Sequence, residues 1–331
     1  MKSRVGWLRP VAAVIVLLGL WSTSAQATYE EHIALGKASF RLASDKSDSQ
    51  AFFQALRDFQ TATETDPNHP LGHYYVALTD WRLARQFSER GASSEQVEMF
   101  ASEGVESCDR LLSISPDHAE ALALKGSLLA ILSTTRANDR SRLGTQSVSN
   151  IRRACEISPR NPRVWLFAGI ASLEQPGVQN NTEGALRDLR RALEIFERDE
   201  SLELLSGGSP KVGRSGGANP ISPPEATAQT VAAGSTGRRL QLLLEPDWGH
   251  DEAWVWAGKA HLENANLEAA RRCFIKALQI NPANTEVKEE LLPDLEESMT
   301  NEGETSSSLP QGLDEDPGMV DLDSRSATPP E

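Results

Sequence analysis

Cysteine, catalytic signatures and basic charge are all in short supply in this chain of 331 residues. The three cysteines, Cys108, Cys155 and Cys273, are an odd number that cannot all pair within one chain, and no Cys-x-x-Cys is present. Each falls in a predicted helix at or beside a packing position, so they read as small buried hydrophobes, with one disulfide or an intermolecular bridge as the alternative. There is no G-x-x-x-x-G-K-[S/T] phosphate loop, no H-E-x-x-H, and no G-x-G-x-x-G among the glycines. The reading is therefore a protein that is not an enzyme and holds no cofactor and no metal. Lys and Arg total 33 against 47 Asp and Glu, a net charge of −14. A nucleic-acid partner needs a basic footprint, so none is expected.

A long hydrophobic run is also missing. The apolar stretch Val11–Leu20 follows Lys2, Arg4 and Arg9 and precedes Ala25-Gln26-Ala27. It is too short to span a bilayer, which takes about 20 apolar residues. A basic start, a short apolar core and an Ala-x-Ala exit form a secretory signal, so residues 1–27 are expected to be removed after Ala27. Retention as an N-terminal anchor is the alternative, and no cysteine follows the run to carry a lipid. The expected location is outside the cytoplasm, most simply a periplasm. Loss of the three basic residues takes the charge from −14 to −17.

Two further segments lack the apolar residues that a core needs. Of the 32 residues from 206 to 237, 16 are Gly, Pro or Ser, a composition that cannot bury enough apolar area to offset its ordering entropy. This is a flexible insertion, either a mobile lid or a tolerated surface excursion. Residues 294–331 carry eleven acids against one base, Arg325, and read as a disordered acidic tail, for interaction or for solubility.

What remains is rich in Ala, Leu, Glu and Arg at helical spacing. Within it, Trp254-x2-Ala257-Gly258 is followed by Ala270-x3-Phe274-x2-Ala277-x4-Pro282. Upstream, Ala55-x3-Phe59-x2-Ala62-x4-Pro67 repeats the second half, and Trp165-x2-Ala168-Gly169 pairs with Ala185-x3-Leu189-x2-Ala192. Softer copies run through Gly104–Pro116 and Ser147–Pro159. Small residues let two helices cross closely, large ones fill the space between hairpins, and the proline stops the second helix. The pattern resembles the tetratricopeptide repeat.

That resemblance implies an all-α array of antiparallel helical hairpins. Four units are expected in residues 28–205, with a fifth unit and a capping helix Glu286–Leu292, ended by Pro293, in residues 238–293. The units depart from the uniform repeat by extra residues at 45–50, 89–95, 134–148 and 175–183, so longer helices or protruding loops are expected there.

Histidines are few. His69 and His73 have the i, i+4 spacing of a metal pair, but Pro70 opens a helix and leaves His69 in the turn. They therefore read as a helix start. His250 and His261 lie about 16 Å apart along a helix, too far to share one metal. Asp247, His250 and Asp251 read as an N-cap and first turn. Trp248 is expected to anchor the chain as order returns after the insertion.

The resemblance also implies a function: binding of a protein or peptide along the concave face made by the first helix of each hairpin. The residues expected there are Arg41, Tyr74, Trp81, Arg82, Arg163 and Lys259. Their basic and aromatic character would suit an extended peptide with carboxylates, although Tyr74 and Trp81 read equally well as helix-to-helix packing. The expectation is an exported scaffold or adaptor with a partner in the cell envelope and no membrane contact beyond the signal or anchor. In size, export and stretched repeats the chain is more distantly similar to the T-component of tripartite ATP-independent periplasmic transporters. That likeness implies the alternative, a transporter accessory binding a small ligand, but the lipoprotein cysteine is missing.

Overall fold

The computed structural model describes residues 24–174, 181–205 and 245–307, and among these there is no strand. Ten helices pair as five antiparallel hairpins. They are α1 (Ser24–Lys46) with α2 (Ser49–Thr65), α3 (Pro70–Glu89) with α4 (Ser94–Ile114), and α5 (Ala119–Thr135) with α6 (Arg140–Ile157). The last two hairpins are α7 (Pro162–Glu174) with α8 (Thr182–Leu205) and α9 (His250–Glu263) with α10 (Leu267–Ile280). Successive hairpins stack, and α9 rests directly on α8, so the fifth hairpin continues the array. The expected signal up to residue 23, the expected insertion at 206–237 and the last part of the expected tail, from residue 308, lie outside the described residues.

The second helices are amphipathic in the simplest way. In α10 the buried residues Ala269, Ala270, Cys273, Phe274 and Ala277 fall at helical spacing, one stripe facing inward. By contrast α5, in the middle of the array, is buried on nearly every side from Ala119 to Ser133. The irregularities expected at 45–50 and 134–148 become mostly helix, that at 89–95 keeps a turn at 90–93, and most of that at 175–183 lies outside the described residues. Only Ser47 and Asp48 separate α1 from α2, and a short 3-10 turn, Ala137–Asp139, leads into α6.

The turns that follow α2, α4, α6 and α10 are built the same way. Asp66, Ser115, Ser158 and Asn281 end the second helices, donating their N–H to the carbonyls of Ala62, Leu111, Ala154 and Ala277 at 2.8–3.0 Å. A proline follows each, which prevents the helix from continuing. Two residues after the proline, His69, His118, Asn161 and Asn284 donate a backbone N–H back to that last residue. Their side chains then accept from Leu71, Ala121, Arg163 and Val287, capping the next turn of helix. Capping by a side chain satisfies a donor that the helix start leaves open. His69 and His118 are therefore caps. Among the described residues no group of three His, Cys, Asp or Glu could hold a metal ion.

The C-terminal end differs from expectation. Glu286–Leu291 is a single π-type turn that runs straight into α11 (Leu292–Ser307). Pro293 does not end a capping helix; it follows the π-type turn, whose last bond runs from the Leu292 N–H back five residues to the Val287 carbonyl, and the helix continues past it. The tail expected to be disordered from residue 294 is thus helical to Ser307. Leu295 is the physical reason, being buried in a cluster with Val287 and Phe274, against which Met299 also packs. This helix covers the last apolar face of the array, as a stack of hairpins requires.

The repeat-packing residues sit where two helices cross. Ala55, Phe59, Ala62, Ala185, Ala192, Ala270, Phe274 and Ala277 are fully buried. A methyl added to Gly36 would lie 2.6 Å from Phe59 Cδ1, one on Gly169 2.6 Å from Leu189 Cγ, and one on Gly258 2.6 Å from Phe274 Cδ1. Trp165 and Trp254 are only half-buried, flanking the core rather than filling it. Gly258→Leu should lower stability by about 1–3 kcal/mol through overpacking. Gly144→Ala, in a helix with nothing within 4 Å of the added carbon, should raise it by about 0.5–1 kcal/mol. Chemical denaturation of the two variants checks the contrast, and an unchanged midpoint for Gly258→Leu would refute the crossing.

Candidate functional site

The first helices α1, α3, α7 and α9 and the chain entering α9 surround a cavity of about 1320 Å3. Curvature brings distant units together across it. Arg85 of α3 lies 4.2 Å from the ring centroid of Trp256 on α9, and Arg82 pairs with Glu252 at 2.5 Å. Asn281, after α10, donates to Asp45 of α1 at 2.8 Å and to Asp251 at 2.9 Å. The first and last hairpins are thereby linked.

One extended stretch of the chain itself lines the cavity. Residues Glu245–Trp248 run without regular structure into α9. Lys37 donates to the Glu245 carbonyl at 2.8 Å and pairs with Asp247 at 3.2 Å, and Arg41 pairs with the other Asp247 oxygen. Arg163 donates to the carbonyls of Pro246 at 2.5 Å and Trp248 at 3.0 Å. The Trp248 ring meets Phe167 edge-on at 5.7 Å, with the Arg163 guanidinium 5.7 Å from its centroid. Trp248 thus anchors the chain as expected. Asp247 does not join the helix cap: Gly249 holds that place, with φ at 108°, and Asp247 turns to the two α1 cations instead. The reason is charge, since an N-cap offers only partial positive charge whereas Lys37 and Arg41 offer two full cations.

Arg163 is steadied from behind. Its guanidinium is 3.4 Å from Glu120, which also accepts from Tyr74 at 2.6 Å and Asn161 at 2.7 Å. Burial raises the Glu120 pKa, but Arg163 and the two hydrogen bonds outweigh it and hold the carboxyl below its ordinary range. Burial likewise works against the Arg163 charge, and Glu120 more than restores it. Lys37 is pulled below its ordinary value by burial, in spite of Asp247.

Of the six residues expected on the concave face, Arg41, Arg82, Arg163 and Lys259 do line the cavity. Tyr74 and Trp81 do not. They are 1% and 0% exposed, with the Tyr74 hydroxyl on Glu120 and the Trp81 indole N–H on Ser127 at 2.9 Å. The curvature explains the correction: Phe167 of α7 packs edge-on against Trp81 at 5.3 Å, so this part of α3 is covered by its neighbours. Tyr74 acts through Glu120.

The cations are also not open to a partner as expected. Lys259 pairs with Glu286 at 2.7 Å and lies 4.8 Å from the Trp256 ring. Arg85 pairs with Glu89 and Glu174. Lys37, Arg85, Glu120, Glu252 and Trp256 escaped the sequence reading. Lys37, Arg85 and Trp256 gave a usable signal, each standing one helical turn from an expected residue, Arg41, Arg82 and Lys259, on the same face.

Chemically, the cavity presents guanidinium and ammonium groups to main-chain carbonyls and to a carboxylate. Those are recognition contacts. The thiols are not activated: burial pushes Cys155 and Cys273 up to about 11 and Cys108 higher still.

Comparison with known proteins matches the tetratricopeptide repeat family model to residues 251–284. A comparison with curated proteins gives no match. Among solved structures, a thermophilic tetratricopeptide repeat protein of Thermus thermophilus is similar at 14% identity and a TM-score of 0.45, over 80% of this chain and 97% of its own. A tetratricopeptide repeat protein of Parabacteroides merdae is similar at 18% identity and a TM-score of 0.25, over 81% and 99%. An assembly chaperone of RpL4 is similar at 14% identity and a TM-score of 0.37, over 90% and 97%.

Replacing Arg163 with Ala leaves the Glu120 carboxylate buried without its cation, which should cost about 3–5 kcal/mol. Because the folded protein holds Glu120 below its unfolded pKa, the stability it contributes is present above about pH 4.3 and is lost as pH falls through the folded value. The gap between wild type and Arg163→Ala should therefore narrow in acid, as urea denaturation at pH 7 and pH 3 would show.

Proposed function

This chain is a tetratricopeptide repeat protein, matched directly in its fifth hairpin and built of such hairpins across its described residues, and from that premise we propose that it is a non-catalytic scaffold or adaptor that binds a protein through its concave face. The observation that carries the reading is the grip on an extended polypeptide along the cavity wall. Lys37 and Arg163 hold three main-chain carbonyls there, contacts that any extended peptide can offer. A site on a rigid curved frame suits this work, since little ordering is left for the moment of binding.

We further propose that the protein works outside the cytoplasm, in the cell envelope. The support is the segment of residues 1–27, with Lys2, Arg4 and Arg9 before the Val11–Leu20 run and an Ala-x-Ala exit. None of the described helices is long and apolar enough to cross a membrane.

Two measurements test these readings. A photo-crosslinking residue in place of Arg41, at the cavity edge, should capture a protein partner in cells, whereas one in place of the exposed Arg57 on α2 should not. Equal capture at the two positions, or none at Arg41, refutes the concave-face reading. N-terminal sequencing of the protein from its own cells should start at Thr28; a start at Met1 would count against cleavage.

A further inference from the structure

We infer that Glu245–Trp248 is a built-in occupant of the Lys37, Arg41 and Arg163 site on the concave face, seated where an extended, acidic, tryptophan-bearing segment of a partner protein binds, so that segment and partner exclude one another. The inference rests on the scaffold reading above and names the chemistry of its partner and the means of its control.

Three features of the segment are recognised. Its backbone is read by Lys37 and Arg163, which donate to the carbonyls of Glu245, Pro246 and Trp248. The Asp247 carboxylate meets both Lys37 and Arg41. The indole of Trp248 lies against Phe167 and under Arg163. Carbonyl contacts make the site tolerant of sequence, the carboxylate sets charge, and the half-buried aromatic anchors.

Charge decides between addition and exchange. The cavity wall already carries Glu197, Asp199, Glu200 and Asp251. A second acidic peptide laid beside the first would face these carboxylates with Lys37 and Arg41 already taken. Exchange of one acidic segment for another leaves the charge of the cavity unchanged.

The seat is also one that can be left. The Asp247 side chain is 32% exposed and that of Arg41 61%, so this pair is solvated and weak. Gly249 then turns the chain into α9 with φ at 108°, a backbone conformation that glycine adopts freely. It is a pivot between the seated stretch and a helix that stays docked on α8.

The test uses the full chain and a fluorescent peptide with the sequence of residues 244–249. Asp247→Ala weakens the internal occupant without touching the buried core, and should bind the peptide about tenfold more tightly than wild type, since an occupied site taxes the apparent affinity. Gly249→Ala, which strains the same seat through the backbone, should act in the same direction. Adding Arg41→Glu to Asp247→Ala should abolish the gain. A peptide carrying Asn in place of its aspartate should bind at least tenfold more weakly than the parent peptide. Equal affinity of wild type and both variants for the peptide overturns the inference, as does equal binding of the Asn peptide. If crosslinks from position 41 persist under either result, only the occupant idea falls. If they are absent, the scaffold reading falls with it.

Discussion

In four of the five hairpins the two helices meet at a place where one of them has almost no side chain. Gly36 faces Phe59, Gly126 faces Ile151, Gly169 faces Leu189 and Gly258 faces Phe274, each too close for an added methyl. Everything else depends on that approach. With the axes close, the buried alanines of the second helices can touch the first helices, and the hairpins stack with their first helices on the inside. The curvature of the stack, and hence the cavity, is a consequence of small residues on one side of a contact and large ones on the other.

The same curvature determines the electrostatics. First helices that would face open solvent in a shallow array instead face one another, so Arg82 and Arg85 reach Glu252 and Trp256. Desolvated charges are tolerated only in pairs. The Glu120 and Arg163 pair shows how strict this is: Tyr74 and Asn161 complete the carboxylate, and two backbone carbonyls complete the guanidinium. Arg163 thereby joins the structural demand of a buried ion pair to the recognition of a polypeptide. The chain satisfies its own cavity, which is why the internal segment is informative about what else could lie there.

Much of the architecture was legible in residue spacing. The Ala-x3-Phe-x2-Ala-x4-Pro series marked second helices and their ends, because a proline after a last turn and small residues at a crossing act locally. The repeated x-Pro-x-[His/Asn] turn was equally local and assigns His69 and His118 to caps. The tail was misplaced because its composition is acidic up to the end, and only the contact of Leu295 with Val287 and Phe274 makes residues 294–307 helical. Tyr74 and Trp81 were misassigned for a similar reason. Trp81 is covered by Phe167, two hairpins away, and Tyr74 by His118 and Glu120 of the next hairpin.

By itself, then, the sequence determined the helices, their pairing, the turns between them and the acidic character of the chain, all of which follow from interactions between residues close together along it. Tertiary structure alone decided which cations remain available and which are spent on internal carboxylates. It alone decided that Asp247 leaves the helix cap for Lys37 and Arg41, and that the chain before α9 lines the cavity. Those outcomes join α1 to the chain just before α9, at opposite ends of the array, and they depend on accumulated curvature, which no single repeat encodes.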